Sequence, residues 1–443
     1  MIAQRQLLTQ RGETSPRSSS SGFYRGIDVI TGGLLAESTG NSTRTRETSN
    51  SRAFMEPAPK QESLTTGPMA IRRLASWLEQ IDPGVHRRIK GLRLVTAYGI
   101  AALLGAGLNR SYEITGGASL TCLAAGFALW ASVSEAEATR WLSTRDLAIL
   151  NAAAVAGAMM YVGLLSISSG LGNAGPEWIL IAGAFLVGYL KRFGILGAGV
   201  GSQIYIGQLL GYTTGISRHD LATVSLAGLV AGVASIVPRL LSGPAEHPTV
   251  AKAEPPVPDG QGSREMRMGL QSAIAALVIV LVSGAIGLQQ SAWAVTASTY
   301  VIAGSASGTA DRVRRRILGT LIGVPLGILC MPISVHVPPL AWMLAAVAMI
   351  VYAMALPDRY DIACGAYAFT LMVTLAISGE TTVSVLAARG WETLIGGALG
   401  VAAAKFIAPL PSTRLLSLDL ATVPAKSGVP QVIRSARAGG QDS

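Results

Sequence analysis

Apolar residues in this chain gather into twelve blocks of about twenty, and no other feature restricts its fold so strongly. The first six fall at about 93–109, 114–133, 147–169, 177–190, 195–213 and 220–241. Six more follow at about 268–288, 292–310, 316–332, 339–357, 362–379 and 390–408. A helix of about 20 apolar residues spans the hydrocarbon of a bilayer, and only helices or closed barrels satisfy their backbone there. The chain is 50% hydrophobic and 14% charged, whereas soluble domains carry about 25% charged residues. The expected fold class is an all-α polytopic membrane protein of about twelve transmembrane helices, arranged as two parallel six-helix halves.

The charges test that count. The formal net charge is +10, but the basic residues stand at the ends of apolar blocks and form no stripe with interleaved aromatics. That placement excludes a nucleic-acid partner and sets membrane orientation instead. With the N-terminal flank in the cytoplasm, the inner loops hold pairs such as Arg140 and Arg145 or Lys191 and Arg192, and the cluster Arg312, Arg314, Arg315 and Arg316. The outer loops hold only Arg110, Arg218 and Arg389. Both termini are therefore expected in the cytoplasm.

The flanks differ in composition. Residues 1–68 are rich in Arg, Ser, Thr and Gly, hold too little apolar area to offset ordering entropy, and read as a disordered tail. The preferred reading is that translation begins at Met69; the alternative is a regulatory tail. Residues 69–92 read as a cytoplasmic interfacial segment, 93–241 as the first half, 242–265 as a Pro-rich linker, 266–408 as the second half and 409–443 as a flexible tail. Cys122, Cys330 and Cys364 lie within apolar blocks without a CxxC pair, and the four histidines are scattered, so neither a metal site nor a cofactor is expected.

Repeats are visible. Trp178-Ile-Leu-Ile-Ala-Gly-Ala parallels Trp342-Met-Leu-Ala-Ala-Val-Ala, and Gly228-x3-Gly232-Val-Ala parallels Gly396-x3-Gly400-Val-Ala. Within the second half, Arg316 and Arg389 each open the pattern Arg-x3-Thr-Leu-Ile-Gly-x2-Leu-Gly. Trp293-Ala-Val-Thr similarly resembles Tyr367-Ala-Phe-Thr. These pairs suggest three-plus-three units of opposite orientation, a design common among transporters.

No catalytic constellation is present, so polar groups in or near the spans are the functional candidates. Arg316 and Arg389 have the guanidinium fork that suits a carboxylate; the structural alternative is that they snorkel to headgroups. Glu392, on the same helix face as Arg389, and Asp361 are the candidates for proton coupling, against a local ion pair and a solvated turn. Trp293, Thr296 and Tyr300 fall on one helical face and suit a flat aromatic ligand, against an interfacial Trp with hydroxyls bonded to the backbone. Gly319, Gly323 and Gly327, with Gly396 and Gly400, recur every four residues and read as helix-packing faces.

At Trp293-Ala-Val-Thr, Arg316-Ile-Leu-Gly-Thr-Leu-Ile-Gly and Arg389-Gly-Trp-Glu-Thr-Leu-Ile-Gly the chain resembles the fusaric acid resistance protein-like family, which includes aromatic acid exporters. Asp82-Pro-Gly-Val-His-Arg-Arg also resembles the segment before that family's first span. The resemblance covers about 265–408. It implies a bacterial inner-membrane protein exporting organic anions such as aromatic carboxylic acids, driven by the proton gradient. Its partners would be the lipid bilayer and a small organic anion, with a homo-oligomer or accessory export protein left open. A distant likeness to plant malate channels keeps a passive anion channel in view, and a non-transporting assembly subunit is the third reading. Larger members have a soluble domain between the halves, where this chain has only the Pro-rich linker.

Overall fold

A computed structural model describes residues 86–111, 119–136, 139–168, 175–242, 261–286, 291–303, 305–356, 358–377 and 382–407. The readings made for the two tails, and for most of the interfacial segment and the linker, lie outside these residues. The described residues are helical throughout, with no strand among them. Each of the twelve apolar blocks has its helix: α1 (His86–Ser111), α2 (Leu120–Ser134), α3 (Arg140–Ser168), α4 (Gly175–Tyr189), α5 (Gly194–Thr214), α6 (Leu221–Leu241), α7 (Gln261–Ile286), α8 (Ser291–Val301) and α9 (Ala306–Leu329), then short α10 (Met331–His336), α11 (Pro338–Ala355), α12 (Tyr360–Ile377) and α13 (Val383–Phe406). Seven helical runs are long and apolar enough to cross a membrane. One of them, Gly175–Thr214, folds back on itself. Gly194, with φ of 74°, turns the chain after the 3-10 stretch Leu190–Phe193, and α5 then packs along α4.

Three block boundaries are corrected. The block at 292–310 is not one helix. α8 stops at Val301, and Ser305 caps the next helix by accepting the Gly308 N–H at 3.1 Å, while Thr309 Oγ1 accepts the Ala303 N–H at 3.0 Å. Short hydroxyl side chains compete with the helix ladder in this way. The arginine cluster is accordingly not a loop but part of α9. The block at 316–332 breaks at Cys330, because Pro332 in the first turn of α10 has no N–H to continue the ladder of α9. The helix of the block at 268–288 begins earlier, since α7 starts at Gln261.

The two halves pack by one scheme. In the first half α1 pairs with α2 and α6, α3 with α5 and α6, α2 with α6, and α4 with α5. Substituting α7, α8, α9, α11, α12 and α13 in the same order reproduces every one of these pairings. The halves meet through α4 against α7 and, reciprocally, α11 against α1, as a pseudo-two-fold relation requires. Glycines permit both approaches: Gly188 faces the Gly269 backbone, and a Cβ on Gly91 would sit 3.0 Å from Ile350. One apolar core runs through both halves.

A second relation operates inside the second half. Gly319 and Gly323 of α9 lie on the Asp361 and Gly365 carbonyls of α12, and Gly327 lies on Met372. Gly396 of α13 lies on the Ala294 carbonyl of α8, and a Cβ on Gly400 would come within 2.7 Å of Val301. Exchanging α8 with α12 and α9 with α13 maps one glycine face onto the other, as the repeated Arg-x3-Thr-Leu-Ile-Gly pattern suggests. The glycine echo between the halves marks no such equivalence. Gly228 faces Val155 of α3, and nothing lies within 4 Å of a Cβ at Gly232.

Candidate functional site

Arg316 is the eleventh residue of α9. The buried stripe of that helix runs through Thr309, Val313, Arg316, Gly319 and Gly323, which is the spacing of one helical face. Neighbouring Arg314 and Arg315 point away, and Arg315 makes a surface pair with Asp311 at 2.8 Å. Arg316 is therefore the one member of the cluster carried into the core, at 6% exposure. It does not lie on the surface of the helix bundle. Its Nη1 donates to the Tyr360 hydroxyl at a long 3.4 Å, its Nε has no hydrogen-bond partner, and no ion pair to it exists among the described residues. A buried cation without a counter-charge is costly, and in a membrane protein it marks a functional position.

Arg316 borders a cavity of about 30 Å³, room for roughly one water. Trp293 of α8, Thr320 of α9, Tyr352 of α11, Tyr367 of α12 and Thr393 of α13 share its wall. The Tyr352 hydroxyl is buried and also without a hydrogen-bond partner. Thr320 and Thr393 are the threonines of the two Arg-x3-Thr copies, and Trp293 and Tyr367 are the paired aromatics of the other echo. Residues related by the repeat thus converge on one space. It offers an arginine N–H and a tyrosine O–H to a ligand with acceptor oxygens, and aromatic walls beside them.

The other sequence candidates divide. Trp293 lines the cavity, but Thr296 and Tyr300 face the first half. The Tyr205 hydroxyl lies 2.8 Å from Thr296 Oγ1, which also donates to the Ala292 carbonyl, and Tyr300 bonds Ser202 at 2.7 Å. The two tyrosine rings meet edge-on at 5.8 Å. These hydroxyls form a polar seam between α5 and α8 and do not border the cavity. Asp361 sits at the exposed start of α12 and pairs with Arg359 at 3.1 Å. Glu392 is 2% exposed in α13. Arg389 belongs to the same helix, but its side chain lies outside the described residues. Sequence reasoning did not single out Tyr352, Tyr360 or Cys364 beside Arg316, nor Thr320 and Thr393. The last two were visible as the invariant Thr of the internal repeat.

A second buried polar group ties together helix ends of the first half. The Lys90 ammonium of α1 donates to the Glu135 carbonyl at 2.5 Å, Arg239 Nε of α6 donates to Ser143 Oγ of α3 at 2.6 Å, and Arg239 lies 4.0 Å from the Glu135 carboxylate. Arg239 is 2% exposed, because it lies in the last turn of α6 and is carried to the end of α2. At the same end Arg87 of α1 reaches Asp358, ahead of α12, at 2.6 Å and so joins the halves. No group of three metal-ligating side chains occurs among the described residues.

Residues 275–403 match the family model described as Fusaric acid resistance protein-like. That segment includes every residue named around the Arg316 cavity. No curated protein and no solved structure matches the chain. The seven span-capable helices mark a multi-pass membrane protein, and its segment 275–403 is similar to that family.

Proposed function

We propose that this chain is a bacterial inner-membrane exporter of organic anions, aromatic carboxylic acids in particular, with twelve spans and both termini in the cytoplasm. The observation that carries the reading is Arg316: a buried guanidinium with an unspent N–H, facing a cavity where repeat-related helices converge. A carboxylate supplies the missing counter-charge and accepts from both Arg316 and Tyr352, and charge-assisted bonds of this kind are among the strongest available. Burying the arginine with only the long bond to the Tyr360 hydroxyl leaves its Nε for the anion. The aromatic walls favour a substrate whose carboxylate is attached to a ring.

Transport then proceeds by alternating access, the two repeats of the second half rocking about the site between them. Glu392 is the proton carrier of this scheme, since a carboxyl held at 2% exposure changes its solvation when the helices move. Asp361, paired with Arg359 in water, has a topological role instead. No covalent chemistry is involved.

Flux of 4-hydroxybenzoate in proteoliposomes of the full chain, with and without an imposed pH gradient, tests the proposal. Gradient-dependent flux above that of empty vesicles is expected. Currents that follow voltage and persist without a pH gradient identify a channel, and no flux for any aromatic acid overturns the transport reading.

A further inference from the structure

A larger cavity of about 80 Å³ lies beside the first, at the seam between the halves. Val95 and Tyr98 of α1 and Leu129 and Trp130 of α2 form one wall, and Trp342 and Ala346 of α11 face them. Only a thin partition separates the two spaces, because Tyr367 and Leu371 of α12 border both. Trp130, Tyr352 and Tyr367 meet there as a ring cluster, with centroids 6.0 to 6.3 Å apart.

The chemistry of the two spaces is opposite. The smaller one holds the unspent Arg316 Nε and Tyr352 hydroxyl. In the larger one the Thr370 and Thr374 hydroxyls are turned back onto helix carbonyls, at 3.0 and 2.9 Å. Its remaining wall is aromatic and aliphatic. The smaller cavity is too small for a ring and lies beside the charge. The wall of the larger is mostly apolar and suits an apolar group. The two together hold about 110 Å³ and a space of roughly 150 Å³ is known to hold a benzene ring, so room for an aryl carboxylate requires both a rotation of Tyr367 that joins them and a parting of α1 from α11.

We infer that the larger cavity is the second part of the same substrate site: it takes the apolar body of the anion whose carboxylate rests on Arg316, and Tyr367 is the movable partition between them. This inference rests on the proposed transport function. It assigns substrate selectivity to Tyr98, Leu129 and Trp130, first-half residues outside the segment that matches the family model. Those residues touch the body of the ligand and not its charge, so they set which anions bind and not whether anions bind. The half-buried positions of Val95, Tyr98, Trp342 and Ala346 place the opening of this cavity at the α1–α11 seam.

Equilibrium binding of benzoate, 2-naphthoate and acetate to the purified full chain tests it. Ala346→Leu fills the larger cavity from a half-buried position, and Leu129→Ala enlarges it; thermal unfolding of both checks that they fold. Ala346→Leu is expected to weaken benzoate by about tenfold while acetate stays within about twofold of wild type. Leu129→Ala is expected to shift preference from benzoate toward 2-naphthoate. If both fold and bind all three acids as wild type does, while Arg316→Gln loses them all, the second subsite is wrong and the exporter reading stands. If Arg316→Gln binds all three as well as wild type, the reading beneath it falls too. A wild-type chain that does not distinguish benzoate from acetate also overturns the inference.

Discussion

Arg316 shows how position on a helix decides the meaning of a residue. Arg314, Arg315 and Arg316 are adjacent, and composition alone treats them as one topology anchor. The face that carries Gly319 and Gly323 also carries Arg316, three and seven residues back, and that periodicity separates it from its neighbours. The inward orientation was therefore legible in the sequence; the cavity and the absence of a counter-ion were not, because they depend on α11 and α12. Replacing a buried ionic group by an apolar one of similar volume is often neutral or stabilising. Arg316→Met is accordingly expected to match wild type in thermal unfolding, or to exceed it by up to about 3 kcal/mol, while anion binding is lost. A large loss of stability would show that the guanidinium is a structural strut. Glu135→Ala is expected to behave in the opposite way. It removes the carboxylate beside buried Arg239 and costs on the order of 3 kcal/mol, read by the same unfolding experiment.

Among the elements, α8 departs most from the sequence expectation. The run from Ala292 to Ala310 is apolar enough to read as one span, and the arginines after it read as the following loop. Hydropathy does not register the Ser and Thr hydroxyls that end one helix and cap the next, so the break after Val301 was hidden. The result is an 11-residue helix, about 16 Å long, buried over its whole surface between the halves. The glycine faces fared better, since small residues every four positions have few other uses in an apolar helix. Gly323→Val places a branched side chain against the Gly365 carbonyl and is expected to cost about 1–3 kcal/mol or to block folding outright. Gly232→Ala meets open space and is expected to leave expression and unfolding unchanged. Parallel measurement of the pair checks the α9–α12 contact against a general intolerance of glycine loss.

On the scale of the molecule, each of the twelve apolar blocks has a helix among the described residues, because a helix satisfies its own backbone in lipid, and seven helical runs are long and apolar enough to cross a membrane. The two-fold relation between the halves was only faint in sequence: Trp178 and Trp342 hinted at it, and the packing scheme carries it fully. The relation explains why the halves, which share few residues, share a fold, and why their chemistry diverges. At helix ends where the first half has the Lys90, Glu135 and Arg239 group, the second half has the neutral bond from Gln271 to the Ile407 carbonyl, at 2.8 Å. The first half is thus clamped at that end, and the second half carries the buried Arg316. A cysteine pair replacing Arg87 and Asp358, cross-linked there, is expected to stop flux by preventing the parting of α1 from α11 that admits the body of the anion. Full flux after complete cross-linking would show that this end does not move.

The central claim is that Arg316 holds the transported anion, and flux of 4-hydroxybenzoate through Arg316→Gln in proteoliposomes tests it most directly. Glutamine keeps a polar side chain of similar reach and removes the charge. Provided the variant unfolds at the wild-type temperature, gradient-driven flux is expected to fall by at least about tenfold, to the level of empty vesicles. Flux at the wild-type rate through folded Arg316→Gln would contradict the account.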